Sequence, residues 1–189
     1  ARRMKLPRVL GHEVSGIVEQ VGNGVDNVSV GDHVSLESHI YCGTCRPCRL
    51  GRAHLCNNTT YPGIDIDGAF AEYVTVPSII AWKNPDNLAH ETAAMLEPFG
   101  IAVHACLEGA GVSGMSVLIN GCGPIGLMAV AVARVLGASQ IIAADINPLR
   151  LKTAQAMGAD RVIKADEEDV VPVVKDMTGE DGVDVGIEF

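Results

Sequence analysis

Cys42, Cys45, Cys48 and Cys56 place four of the chain's six cysteines in the stretch "HIYCGTCRPCRLGRAHLC" (39–56), spaced C-x2-C-x2-C-x7-C. Thiolates packed this densely suit zinc, which takes four sulfurs at tetrahedral corners about 2.3 Å from the ion. Tight turns bring Cys42, Cys45 and Cys48 round the ion, and Cys56 closes the fourth corner. Four sulfurs leave no open position, so the expected zinc is structural. Its binding free energy is then folding free energy, on the order of 10–16 kcal/mol in small zinc peptides. Arg46, Arg49 and Arg52 lie within the loop and offset the negative charge of the thiolates. Disulfides are the competing reading, but they belong to small secreted domains, and cysteines two residues apart pair poorly in a tight loop. A redox C-x-x-C reading leaves two cysteines without a purpose.

A second constellation is "GCGPIG" (121–126), directly after the apolar run "SVLIN" (116–120) and directly before the helical pattern "PIGLMAVAVARVL" (124–136). A G-x-G-x-x-G between strand and helix is where dinucleotide binding requires it. Gly121 allows the tight turn, Gly123 lets the backbone approach a pyrophosphate, and Gly126 lets helix and strand pack closely. The helix N-terminus supplies partial positive charge to the phosphates. Asp145 follows Gly126 by nineteen residues, at the end of the next apolar run. Its carboxylate can accept hydrogen bonds from an adenosine ribose and repels a 2′-phosphate, so NAD is expected over NADP. Arg150, close by, either meets such a phosphate or, with Asp145 intact, faces the adenosine side.

A third group is sparser. His12 and Glu13 are adjacent in "GHE" (11–13), a pair that a solvated surface also explains. Glu97 is more pointed, because in "TAAMLEPFGIAVHACL" (92–107) its only ionisable companions are His104 and the thiol of Cys106. A carboxylate in an apolar run is costly to bury without a cation. A second zinc held by His12, Glu13 and a further ligand would supply one, and an open position on it would be catalytic.

The elements around these residues divide the chain in two. Residues 12–36 alternate apolar and polar with Gly-Asn-Gly and Gly-Asp turns, which predicts antiparallel strands. The cysteine lobe (39–57) follows as loop. "GAFAEYVTVP" (68–77) predicts another strand, and 88–107 predicts helix with a break or restart at Pro98. From 116 onward strands (116–120, 140–145, 161–165, 182–189) alternate with helices (124–136, 147–157, 167–178), the pattern of a parallel sheet wrapped by helices. The expected domains are 1–108, β-rich with the zinc lobe, and 109–189, a doubly wound α/β sheet whose first four strands are present. The chain is expected to be an internal piece of a longer protein.

With 48% of its 189 residues apolar, the chain can fill a packed core. A formal net charge of −9 argues against a protein that tracks nucleic-acid phosphates. No apolar run approaches the roughly 20 residues of a membrane span. A charged n-region followed by an apolar h-region is also missing, so the chain reads as cytoplasmic.

The order GHE, four-cysteine lobe, dinucleotide fingerprint resembles the zinc-dependent medium-chain alcohol dehydrogenases, over essentially the whole chain. "GRAHLCNNT", "ESHIYCGTC", "EPFGIAVHA" and "DVGIEF" are most similar to the branch that acts on L-threonine, and less so to sorbitol and butanediol dehydrogenases. Ile101 departs from that branch, which usually carries Asn after Pro-Phe-Gly. The resemblance implies a GroES-like catalytic domain followed by a Rossmann domain. It assigns His12 and Glu13 to a catalytic zinc, Glu97 to an acid beside it that serves a proton relay, and His39 to a position near substrate. Ile125, Asp145 and Arg150 become NAD contacts. The implied reaction is NAD-dependent oxidation of the C3 hydroxyl of L-threonine to 2-amino-3-oxobutanoate, by a homotetramer. A third zinc ligand, a cysteine, and a Thr/His relay are expected upstream of Ala1, and the rest of the Rossmann sheet beyond Phe189. A non-catalytic NAD-sensing or zinc-stabilised assembly subunit is the reading from another class.

Overall fold

The computed structural model describes residues 4–179 and 181–189. It divides into two compact units, Ala1–Glu97 and Pro98–Phe189.

In the first unit, β1 (Ser15–Ile17), β2 (His33–Leu36) and β3 (Ala81–Lys83) form an antiparallel sheet in that order. Ser15 stands opposite Ser35, and Ser35 opposite Trp82, so these three side chains share one face. The antiparallel strands expected within 12–36 are β1 and β2. Between β2 and β3 the chain makes the cysteine lobe, with the short helix α1 (Arg46–Arg49) and a 3-10 turn at Ala53–Leu55. Helix α2 (His90–Ala94) docks on the Ser15/Ser35 face largely through polar bonds. Ser35 Oγ donates to the Ala93 carbonyl at 2.8 Å and receives Asn84 Nδ2 at 2.9 Å. Ser15 Oγ lies 2.6 Å from His33 Nε2 and 2.9 Å from His90 Nδ1.

Two expected elements differ here. Residues 68–77 are not a strand: Gly68, Ala69 and Phe70 donate to the carbonyls of Val9, Gly11 and Leu10, and the chain beyond them builds no ladder among the described residues. Alternation alone does not make a strand without an edge to pair with. The helical stretch breaks at Met95 rather than at Pro98. Helix α3 (Leu96–Leu107) carries Pro98 in its first turn, where the missing N–H would have no partner anyway. The strand β3, "AWK", had no sequence signal beyond its Trp.

In the second unit β4 (Ser116–Asn120), β5 (Gln140–Asp145), β6 (Arg161–Lys164) and β7 (Val185–Glu188) form a parallel sheet in the order β6-β5-β4-β7. Helices α4 (Pro124–Val135), α5 (Pro148–Ala156) and α6 (Val170–Thr178) connect them. Ile141 and Ala143 of β5 pack with Ala129, Val130 and Ala133 of α4 and Leu151 of α5, whereas Ile142 and Ala144 pack with Ile163 of β6 and Val174 of α6. Burial on both faces explains why β5 reads as a continuous apolar run. After α6 the chain returns to pair β7 with β4, so the strand order reverses beside the carboxyl end of β4. Open α/β sheets bind ligands at such a point.

Candidate active site

The cysteine lobe is built by two glycine turns around α1. Gly43 and Gly51 have φ of 70° and 75°, which only glycine adopts readily, and they fold the chain back on either side of Cys45 and Cys48. The Sγ–Sγ separations are 3.4 Å for Cys45–Cys48, 3.5 Å for Cys42–Cys56 and 3.8 Å for Cys45–Cys56. A tetrahedron with sulfurs about 2.3 Å from its centre has edges of about 3.8 Å. The four sulfurs therefore fit a zinc ion, and all six cysteines are free of disulfides.

The lobe also prepares thiolates. The backbone N–H of Thr44, the Asn58 amide, the Thr44 hydroxyl and the backbone N–H of Cys45 pull the Cys42 thiol down to about 5. Cys56 is lowered too, chiefly by the backbone N–H of Cys42, 3.3 Å from its sulfur. Cys48 goes the other way, pushed up to about 12 by desolvation and by the neighbouring sulfurs of Cys45 and Cys56.

His12, Glu13 and Glu97 come together: one ligating atom from each lies within 4.8 Å of the others. The segment bearing His12 is set by three stacked glycines. A Cβ on Gly68 would lie 2.2 Å from the Gly11 carbonyl oxygen, and one on Gly63 would lie 2.7 Å from the Gly11 nitrogen. Asp67 receives the backbone N–H of Val9 and a guanidinium N–H of Arg8, both at 3.2 Å. Glu97 enters from the first turn of α3, and its Oε1 accepts the hydroxyl of Ser38 at 2.6 Å. Ser38 is buried and was not singled out by sequence reasoning. Its place inside "ESHIYC", beside His39, was the available signal. His39 stands outside the three-residue group. Its Nδ1 bonds to the Glu37 carboxylate, and its ring meets Tyr61 edge-on at 4.9 Å.

In the second unit the three fingerprint glycines differ in what they need. Gly121 has φ of 97°, and a Cβ there would lie 2.3 Å from the Phe189 carbonyl oxygen. A Cβ on Gly126 would lie 1.9 Å from the Gly121 carbonyl oxygen. Gly123 faces open space, with nothing within 4 Å of a built Cβ and no positive φ. The fold itself makes no demand for glycine at 123. Gly123 is also the N-cap of α4 and gives it no side-chain cap, whereas Asn147 caps α5 and Asp169 caps α6. The first N–H groups of α4 are thereby left for an anion, as a dinucleotide's pyrophosphate requires.

Asp145, at the end of β5, is buried, and Arg150 Nη1 lies 3.7 Å from its Oδ2. Burial raises the Asp145 carboxyl, but the backbone N–H groups of Asn147 and Cys122 and the Arg150 charge outweigh it, so it lies below the usual carboxylate range. Ile125, in the first turn of α4, packs half-buried against the apolar core.

Comparison with known proteins agrees with both units. The family "Alcohol dehydrogenase GroES-like domain" matches residues 1–86, and "Zinc-binding dehydrogenase" matches residues 124–189. The chain belongs to the zinc-dependent medium-chain alcohol dehydrogenases, with a GroES-like unit followed by a Rossmann-type one. Over 188 residues it is 50% identical to the L-threonine 3-dehydrogenase of Bacillus velezensis, covering 100% of this chain and 54% of that relative. Among solved structures, an alcohol dehydrogenase from Thermus sp. ATN1 superposes with a TM-score of 0.90 at 39% identity, covering 98% of this chain and 56% of that one. An alcohol dehydrogenase from Escherichia coli CFT073, solved with NADH, gives 0.88 at 36% identity, covering 96% of this chain and 54% of that one. The chain spans about half the length of the curated relatives it matches. Among the described residues no helix is long and apolar enough to cross a membrane.

Proposed function

We propose that the protein to which this chain belongs is an NAD-dependent oxidoreductase that oxidises the secondary alcohol of L-threonine to 2-amino-3-oxobutanoate. The observation that carries the reading is the convergence of His12, Glu13 and Glu97, three ligating groups brought together from two distant segments. The L-threonine assignment draws on the identity to L-threonine 3-dehydrogenases along the whole chain. Zinc at this centre would supply Lewis acidity toward the alcohol oxygen, and NAD the hydride acceptor.

The chain's own residues then have defined tasks. His12 and Glu13 hold the metal, and Glu97 places a carboxylate beside it. His39, clamped by Glu37 and Tyr61, presents an imidazole near substrate. The bare N-terminus of α4 and Gly123 receive the pyrophosphate, Ile125 lies beside it, and Asp145 with Arg150 faces the adenosine ribose. The cysteine lobe holds a structural zinc. We place the enzyme in the cytoplasm as a homotetramer, which sedimentation of the full-length protein tests.

Steady-state turnover of the full-length enzyme with L-threonine, sorbitol and 2,3-butanediol decides the substrate. A preference for L-threonine by kcat/KM is expected. Preference for either diol would reassign the substrate, and NAD binding without turnover of any alcohol would make the protein a non-catalytic binder.

A further inference from the structure

Glu97 does not stand alone beside His12 and Glu13. The hydroxyl of Ser38 donates to its Oε1 at 2.6 Å, and the same Oγ lies 3.4 Å from His39 Nδ1. Ser38 is 3% exposed, so water does not compete for this hydroxyl. A serine has one hydrogen to give. Given to Glu97, it leaves the oxygen only able to accept on its other side. His39 Nδ1 must therefore carry the hydrogen on that side. The Glu37 carboxylate, bonded to the same Nδ1, imposes the same tautomer. Glu37 takes the main share of the Nδ1 hydrogen and Ser38 Oγ its weaker, 3.4 Å branch, while the Ser38 hydroxyl is given to Glu97, all inside the first unit.

We propose that Ser38 is a positioning residue for the metal centre: it fixes the orientation of the Glu97 carboxylate beside His12 and Glu13. This inference rests on the function proposed above. The physical argument is geometric. A carboxylate on a side chain with three rotatable bonds samples several rotamers, and a short bond to a buried hydroxyl narrows them. With Oε1 held by the Ser38 hydroxyl, the carboxylate as a whole is oriented beside His12 and Glu13. Groups that orient a metal's neighbours in this way typically contribute 10–100-fold to metal affinity or activity. A residue that merely filled space would show no such effect on the metal.

The test uses the full-length enzyme with the labile metal exchanged for Co2+ and the lobe zinc left in place. Wild type, Ser38→Ala and Ser38→Thr are compared by Co2+ titration, by the visible spectrum of the bound ion and by thermal melting. Ser38→Ala is expected to weaken Co2+ binding about tenfold or more and to shift the spectrum. Ser38→Thr, which keeps the hydroxyl, is expected to restore both. If Ser38→Ala binds Co2+ within twofold of wild type with the same spectrum, the inference is wrong and the proposed function stands. If Ser38→Thr behaves as Ser38→Ala does, the hydroxyl is not the cause and the inference also fails. If wild type takes no Co2+ beyond the lobe metal, it is the proposed function that fails.

Discussion

The two oxygens of Asp145 each accept a backbone N–H at 2.7 Å, Oδ2 from Cys122 inside the glycine loop and Oδ1 from Asn147 at the start of α5. The side chain that is expected to read the ribose is therefore also a brace between two turns. A carboxylate has about four acceptor sites, so a ribose hydroxyl can still be accommodated. The two tasks separate experimentally. Asp145→Gly should weaken NAD relative to NADP and also destabilise the second unit by about 3 kcal/mol, since two hydrogen bonds to a charged group are lost. Arg150→Ala leaves both backbone bonds intact while removing the nearby positive charge, so it should widen the preference for NAD without a comparable loss of stability. Urea unfolding and kinetics with both cofactors check this; a stable Asp145→Gly protein would remove the brace.

The lobe's thiols should differ sharply once metal is removed. With Cys42 near 5 and Cys48 near 12, the first is thiolate at neutral pH and the second is not. Where zinc is withdrawn while the lobe is still folded, iodoacetamide at pH 7 should label Cys42 well before Cys48, and neither while zinc is bound. Peptide mass spectrometry reads the order, and equal labelling would contradict it. Cys48→Ser should abolish tight zinc in the lobe and destabilise the first unit, because one of the ion's four thiolate ligands is lost.

Acid should act on the second unit through Asp145 and Asp184. Asp184 is lowered by the Ser116 hydroxyl and backbone N–H, both 2.7 Å from its Oδ2. Both carboxyls are depressed in the folded state, so their contribution is complete above the ordinary carboxylate value near 4. It is lost as pH falls through the folded values. Stability should therefore be flat in these groups from neutral pH down to about 5 and drop below about 4. Asp184→Asn should flatten that acid limb in urea midpoints measured against pH, and an unchanged limb would show that Asp184 does not contribute.

Much of the second unit was legible because local rules and fold agree there. "SVLIN" and "QIIAAD" are β4 and β5 residue for residue, and Asn147-Pro148 opens α5 as cap and first-turn residue. The cysteine lobe was legible for a similar reason, since its ligands are close in sequence. The first unit was harder to read. Its strands are three or four residues long, and α2 is held by bonds from Ser15 and Ser35 rather than by an apolar stripe. Long-range polar pairing has no periodicity to detect. Ser38 was missed on the same ground: its partner Glu97 is 59 residues away. The strand expected at 68–77 had the right alternation, but pairing depends on a neighbour that a local pattern does not contain.

The glycine stack beneath His12 gives the most demanding prediction. A Cβ at position 68 would meet the Gly11 carbonyl oxygen at 2.2 Å and the Leu10 carbonyl oxygen and Gly63 Cα at 2.7 Å. All three are backbone atoms, so no side-chain rotation relieves the clash, and the segment carrying Gly11 has to move. His12 moves with it, away from Glu13's and Glu97's ligating atoms. The cysteine lobe shares none of these contacts. Gly68→Ala in the full-length enzyme should therefore lose the second metal and lower the melting temperature, while the lobe keeps its zinc. Gly16→Ala is the control, because a Cβ there has nothing within 4 Å and needs no unusual φ. It should change stability by no more than about 0.5 kcal/mol, as surface substitutions away from special features do. Metal analysis and calorimetry on the two variants decide the matter. If Gly68→Ala retains both metals and melts with the control, the close approach of Gly68 to Gly11 does not position His12.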